Sequence, residues 1–433
     1  MRHATLEQLP LFPAEPQAPG NDTTSTFADN LSLPIHRWFR YSAGFSAAWV
    51  RQLIKQEKLK GRARILDPFA GCGTVLLECE ASDVEGRGVE AHPFVARVCR
   101  AKLNWRECPK AFRQYALSVL DEARKHQSDP AASYPKLIEK CFPPLALSRL
   151  DSLRRAWASR VDGSAFSELT WLALGSILRQ CSPVGTAPWQ YVLPNKAKAK
   201  TLDPYQAFET KIHVMVSDMA RRQRQPHGPA AQLWWEDARQ CPSLSDGWAD
   251  LVITSPPYVN NYDYADATRL EMAFWGEVTG WGDLQHTVRK YLIRSCTQHV
   301  AAIVQETERL LRDPVLDPIT EEIYRVCGHL EAERGKHGGK KPYHTMIAAY
   351  FSDMAKMWLA LRRVCAAHAL VCFVVGDSAP YGVHVPVERW LGELAVAAGF
   401  NSYAFEKTRD RNVKWKNRKH RVPLHEGRLW ITG

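Results

Sequence analysis

Apolar positions along this chain follow two rhythms, one close to every third or fourth residue and one in short continuous runs. From Pro34 to Gln56, the stretch PIHRWFRYSAGFSAAWVRQLIKQ predicts an aromatic-rich approach followed by an amphipathic helix. A buried strand at Ile65 and Leu66 then meets a glycine-rich turn. A helix begins at Thr74, a second strand ends in GVEAHP at 88–93, and a helix over 94–105 returns the chain. Strand and helix alternating in this way predict a parallel sheet covered on both faces, a doubly wound α/β fold.

Residues 106–230 break the rhythm with long helical stretches at 165–180 and 206–222 and an irregular segment, CSPVGTAPWQYVLPNKAKAK, at 181–200. Strand patterns resume in QLWWEDA at 232–238 and ADLVITS at 249–255. A second polar, helical insertion covers 277–342. Beyond it, Ile347, Tyr350, Phe351, Met354, Met357, Trp358 and Leu361 recur at helical spacing, so a long helix with one buried face is expected. ALVCFVVGD at 369–377 reads as a fully buried strand. A helix near 386–398 and strands at 401–406 and 427–432 close the chain. The expected organisation is a flexible arm (1–29), a first part of the core (30–105), a helical insertion suited to target recognition (106–230), a catalytic part (231–276), a second insertion (277–342) and a C-terminal part of the core with a basic hairpin (343–433).

Composition narrows the class. Hydrophobic residues make up 45% and charged ones 24%, which excludes a disordered or fibrous chain. The formal charge of +11 favours a polyanionic partner, because basic side chains displace counterions from phosphates. Eleven cysteines are scattered without a CxxC pair or a Cys/His cluster, so they read as thiols in a reducing compartment and imply no metal. No apolar run approaches the ~20 residues that cross a bilayer, and the N-terminus lacks a secretory pattern. A soluble cytoplasmic protein without a membrane partner is expected.

Two segments carry the chemistry. In Asp67-Pro68-Phe69-Ala70-Gly71-Cys72-Gly73-Thr74 a strand turns tightly into a helix, where glycines allow close backbone approach and free amides can receive a carboxylate or phosphate. The spacing is not that of a phosphate loop. Glu90 follows about twenty residues after the glycines, where a carboxylate can accept from both hydroxyls of a ribose. In Ser255-Pro256-Pro257-Tyr258 two prolines fix the backbone and remove amide donors, leaving oxygens directed at whatever enters. Acceptors of this kind hold the hydrogens of an exocyclic base amine, and the Tyr258 ring offers a face on which an extruded base can stack.

Together, DPFAGCGT and SPPY resemble the signatures of S-adenosylmethionine-dependent methyltransferases that act on amino groups of nucleic-acid bases. The resemblance covers 33–105, 232–275 and 345–378 and implies a Rossmann-like methyltransferase sheet with helical insertions. It implies a cofactor site of Phe45, Ser46, Asp67, Phe69, Gly71, Gly73, Thr74, Glu90 and Asp237, and a catalytic loop of Ser255, Pro256, Pro257 and Tyr258. Asp237, ending the strand QLWWEDA, stands where the family reads the adenine amino group of S-adenosylmethionine. Phe45 and Ser46 equally suit core packing, and Asp377 equally suits a cap. Asn260, Asn261, Tyr262, Asp263 and Tyr264 can line a base pocket, with Asp263 alternatively an N-cap.

Serine before the two prolines is commoner among the family's cytosine-N4 enzymes than among its adenine-N6 enzymes. Cytosine-C5 chemistry needs a Pro-Cys that this chain lacks. The implied substrate is double-stranded DNA, and the implied context is restriction-modification or phage defence, with a partner restriction nuclease. An RNA guanine-N2 methyltransferase and a non-catalytic binder on the same scaffold are the rivals. Basic residues Arg409, Arg411, Lys414, Lys416, Arg418 and Lys419 surround Trp415 in a stretch that can track a phosphate backbone or form a solvated turn. NKAKAK (195–200) and RRQRQ (221–225) can extend that surface. Gln8-Leu9-Pro10-Leu11-Phe12 resembles the peptides by which bacterial replication and repair proteins dock into the sliding clamp.

Overall fold

Alternating residues along the central strands face opposite helical layers, which makes the sheet doubly wound. The computed structural model describes residues 27–41, 44–126, 134–186, 192–198, 200–411 and 422–433. Gln8–Phe12, with the clamp-docking expectation attached to it, lies outside the described residues, as do Lys414, Trp415, Lys416, Arg418 and Lys419.

Nine strands are described: β1 (Arg64–Asp67), β2 (Glu85–Val89), β3 (Val184–Thr186), β4 (Val192–Ala197), β5 (Gln232–Trp234), β6 (Ala249–Thr254), β7 (Cys365–Gly376), β8 (Ser402–Arg411) and β9 (Leu424–Thr432). Seven form one sheet in the order β5-β2-β1-β6-β7-β9-β8, parallel from β5 to β7, with β9 antiparallel to both neighbours. Ile65, Leu251, Ile253, Cys372 and Val374 pack on one face with the helix Ala47–Lys58. Leu66, Val252, Val371, Phe373 and Val375 pack on the other with the helices Tyr343–Val364 and Val387–Ala397. The expected stripe on Tyr343–Val364, from Ile347 to Leu361, is buried throughout. Each such side chain taken from water contributes roughly 1.5–3 kcal/mol, so this helix is a principal brace of the sheet.

The first insertion carries the helices Pro109–Lys125, Pro144–Ala158, Ala165–Cys181 and Pro204–Gln223. They share an apolar core with the approach segment around Trp38, with Phe94, Val95 and Val98 of the helix Pro93–Leu103 and with the helix Arg269–Trp275, so the insertion is packed onto the core rather than tethered. Its irregular part is the two-stranded β3–β4 ladder. The second insertion packs its helix Thr320–Lys336 and shorter turns against Tyr343–Val364. No described helix is long and apolar enough to cross a membrane.

Strand order reverses between β1 and β6, since β1, β2 and β5 step one way and β6 lies on the opposite side of β1. Such a switch point opens a crevice at the carboxyl ends of the strands, where α/β sheets bind ligands. The residues that follow β1, β2, β5 and β6 all meet there.

Candidate active site

Immediately after β1, the chain must reverse within a few residues, and two glycines make that possible. Gly71 and Gly73 have φ of 53° and 87°, in the left-handed region that side chains disfavour. A β-carbon on Gly73 would stand 2.6 Å from Cys99 Sγ, and one on Gly71 would stand 3.4 Å from the Tyr41 ring. Asp67 holds the turn from behind: its Oδ1 accepts from the Phe69 amide at 3.0 Å and from the Thr254 hydroxyl at 2.5 Å, linking the ends of β1 and β6. Burial pushes the Asp67 carboxyl up to about 7.

Glu90 braces the same turn from the front. One carboxylate oxygen accepts from the Gly71 amide at 2.8 Å and the other from the His92 amide at 2.7 Å. Burial pushes this carboxyl up to about 7. His92 is buried, held neutral by desolvation, and bonded through Nε2 to the Thr268 hydroxyl at 2.9 Å.

Gly71, Glu90 and His92 line a cleft of about 610 Å³, together with Tyr41, Phe69, Asp237, Ser255, Pro257, Tyr264 and the strap Tyr291–Ile293. Phe69, Gly71, Glu90, Asp237 and Ser255 are therefore brought together in one cleft. Asp67, Gly73 and Thr74 stand one layer behind the wall, with Asp67 and Thr74 buried.

Three expectations need correction. Phe45 and Ser46 do not reach the cleft: Phe45 packs edge-on against Trp49 in the core, and the Ser46 hydroxyl caps the helix Ala47–Lys58 by accepting from the Trp49 amide. The approach segment does reach it, but four residues earlier, through Tyr41. Asp237 does not end a strand, because β5 stops at Trp234. Its carboxylate accepts from the backbone and guanidinium of Arg239, which bends the chain into a turn at the cleft's edge.

The strap is the part that sequence reasoning missed. Arg239 also reaches Asp353 at 3.0 Å, and Asp353 grips Arg294 through its side chain at 2.6 Å and its amide at 3.0 Å. This ladder of alternating charges pins Tyr291–Ile293 over the cleft. Its only signal in the sequence is the Arg-rich RKYLIR at 289–294.

In the SPPY loop, the Ser255 hydroxyl donates to the Val374 carbonyl at 3.2 Å and is also hydrogen-bonded with the Tyr258 side chain. The Tyr258 amide donates to the Tyr264 hydroxyl at 3.2 Å, and the Arg411 guanidinium lies 5.5 Å from the centre of the Tyr258 ring. Beyond this ring a second cavity of about 630 Å³ is lined by Asn260, Tyr343, Asp377, Tyr381 and Arg411 among others. Asn261 takes the left-handed region, with φ 65°, and accepts from Thr297 through its side chain. Tyr262 packs edge-on against Tyr264.

Asp263 serves the local turn: it accepts from the Ala265 and Asp266 amides and pairs with buried Arg289 at 2.6 Å. Its carboxylate also lies within 4.8 Å of the ligand atoms of Cys296 and His299, but the bonds to Ala265, Asp266 and Arg289 already engage it. Asp377 ties β7 to β9 by accepting from the His425 amide at 2.8 Å and bonding His384 Nε2 at 3.1 Å.

Of the basic hairpin's described cations, Arg409 pairs with Glu426 at 2.7 Å, and Arg411 donates to the Asp377 carbonyl at 2.9 Å.

Among curated proteins, the chain is similar to the Type II methyltransferase M.AvaI of Nostoc sp. (strain PCC 7120 / SAG 25.82 / UTEX 2576), at 26% identity over 87% of this chain and 81% of that protein. M.AvaI of Anabaena variabilis matches equally. The Type II methyltransferase M.BsoBI of Geobacillus stearothermophilus is 24% identical over 93% of this chain and 86% of that protein. No family model and no solved structure matches.

Proposed function

We propose that the chain is an S-adenosylmethionine-dependent DNA amino-methyltransferase, like the Type II methyltransferases it resembles, and that it methylates the N4 amino group of cytosine in double-stranded DNA within a restriction-modification system. Ser255 carries the base assignment. Its hydroxyl lines the cleft, where its oxygen can accept from an incoming amine, and serine at this position suits the cytosine-N4 enzymes.

The residues around the cleft fit S-adenosylmethionine in kind. Gly71 keeps the wall free of a side chain, Glu90 offers oxygen acceptors suited to ribose hydroxyls, and Asp237, its carboxylate held by Arg239, stands at the cleft's edge where an adenine amine would have to share it. Phe69, Leu292 and Ile293 supply apolar cover. When bound, S-adenosylmethionine supplies an electrophilic methyl group. The chain's own work is to place the acceptor. An exocyclic amine is a poor nucleophile because its lone pair is delocalised into the ring. Ser255 Oγ and the Pro256 carbonyl hold its hydrogens, Pro257 stiffens the loop, and Tyr258 stacks on the flipped base. Most of the acceleration then comes from positioning and exclusion of water.

The deciding experiment incubates the protein with S-adenosylmethionine and mixed-sequence duplex DNA, then identifies methylated nucleosides by mass spectrometry. N4-methylcytosine is expected. N6-methyladenine would keep the mechanism and overturn the base, whereas neither product, with cofactor binding verified, would move the activity to RNA or to a non-catalytic role. A nuclease cutting the same sequence would be the partner in such a system.

Ser46 gives a smaller test of the site's boundary. Ser46→Ala is expected to cost about 1 kcal/mol in chemical denaturation through loss of the helix cap. Calorimetric affinity for S-adenosylmethionine should stay at the wild-type value, and a clear fall would return Ser46 to the cofactor's surroundings.

A further inference from the structure

A groove of about 1040 Å³ runs along the first insertion, where the β3–β4 ladder meets the approach segment. Arg40, Arg179, Lys198 and Lys200 line it, against a single carboxylate, Glu271. Glu271 is paired with Arg179 at 2.5 Å, so the surplus is positive. The Lys198 ammonium donates to the Arg179 carbonyl at 2.6 Å and to the Ser182 carbonyl at 3.4 Å, which fixes it on the groove's wall, and Lys200 is exposed.

Two other described basic surfaces carry carboxylates beside their cations. In the groove that carries Arg97 and Arg100, Glu168 and Glu277 face them, and Arg97 is ion-paired to Glu168 at 2.8 Å. On the β8–β9 hairpin, Arg409 is paired with Glu426 and Lys407 with Asp410. Beside Lys198 the field is positive: burial first, and then Arg179 and Arg40, lower its pKa from the usual lysine value. An anion entering the groove would relieve that repulsion.

The groove is connected to the active-site cleft through neighbouring residues of the chain. Arg40 directly precedes Tyr41, which lines the cleft. Arg179 donates to the Ala267 carbonyl at 2.8 Å and grips Glu271, both in the segment that continues from Tyr264. A strand held in the groove therefore lies against the two segments that shape the site.

We propose that this groove grips the phosphodiester backbone of the DNA substrate, with Lys198 and Lys200 as phosphate contacts and Arg40 at the end nearest the cleft. The assignment rests on the DNA methyltransferase reading but assigns a surface which that reading leaves open. Phosphate contacts set register without reading bases. Their loss should therefore weaken all sequences alike and flatten the salt dependence by about one unit of slope per contact.

The test is fluorescence anisotropy of labelled duplex DNA against wild type, Lys200→Glu and Lys198→Ala/Lys200→Ala at several salt concentrations. Melting curves and calorimetric S-adenosylmethionine affinity serve as controls. The double variant is expected to bind roughly tenfold more weakly on every duplex, with a slope lower by about two, while cofactor affinity holds. Lys200→Glu, at an exposed position, should weaken binding without touching the fold.

Unchanged affinity and slope in both variants would overturn the groove, even if the wild type methylates the same DNA. Lysine-dependent binding with no methylation by the wild type would uphold the groove and overturn the methyltransferase reading. Tighter, equally lysine-dependent binding of the matching RNA duplex would overturn DNA as the occupant.

Discussion

Tyr258→Ala is expected to lower kcat/KM on duplex DNA by about 10- to 100-fold, with affinity for S-adenosylmethionine within a factor of about three of the wild type. A base stacked on an aromatic ring gains roughly 1–3 kcal/mol, and that gain is realised only when the base has left the helix. The ring is well held for such a task. The Tyr258 amide is bonded to Tyr264, Arg411 covers the ring at 5.5 Å, and the two prolines before it leave little freedom. Tyr258 is absent from the cofactor cleft's lining, so its truncation removes a surface for the base and none for the cofactor. Tyr258→Phe keeps the flat face and should retain most of the activity. Steady-state kinetics beside calorimetry separate the two effects. If Tyr258→Ala lost the cofactor instead, the ring would belong to the cleft.

The strands and the glycine turn were legible because local rules govern them. Leu251, Val252 and Ile253 are all apolar since both faces of β6 are covered, and the long helix announced itself by the stripe from Ile347 to Leu361. Errors arose where a side chain bends the backbone or where contact spans distant sequence. QLWWEDA has a strand's composition, yet Asp237 turns back on Arg239 and cuts β5 to three residues. The aromatic approach was recognised, but a helix cap at Ser46 displaced its contact with the cleft to Tyr41. Tyr291–Ile293 lies in a polar insertion whose periodicity says nothing of the cleft. Its position is set by Arg294 reaching Asp353, 59 residues away. The same distance effect clamps the loop after SPPY, where Asn261 is held by Thr297 and Asp263 by Arg289. Charge counting offered the C-terminal hairpin and the 195–200 run alike as phosphate surfaces. Among the described residues, the geometry adds that Arg409 is paired with Glu426 whereas Lys198 and Lys200 line a groove.

Glu90→Gln is expected to weaken S-adenosylmethionine binding by about 10- to 100-fold and to abolish its pH dependence. Hydrogen bonds to a charged group contribute roughly 1.5–3 kcal/mol, and Glu90 would make them to the ribose. It also accepts from the Gly71 and His92 amides, so glutamine would turn an N–H toward a backbone donor and loosen the glycine turn. Burial pushes the carboxyl up from 4.5 to about 7, above its unfolded value. Its contribution to stability is therefore full below pH 4.5 and is lost as pH rises through about 7. Binding runs the other way. Ribose hydroxyls donate to the ionised form, so complex formation releases a proton, and affinity should climb between about pH 6 and about pH 8. Asp67 titrates in the same window, also near 7, but it is committed to Thr254 and Phe69 behind the wall. Calorimetry across that range, in buffers of differing ionisation enthalpy, reads both affinity and proton release. A Glu90→Gln protein that kept the wild-type affinity and slope would show that the carboxylate braces the turn without touching the ribose.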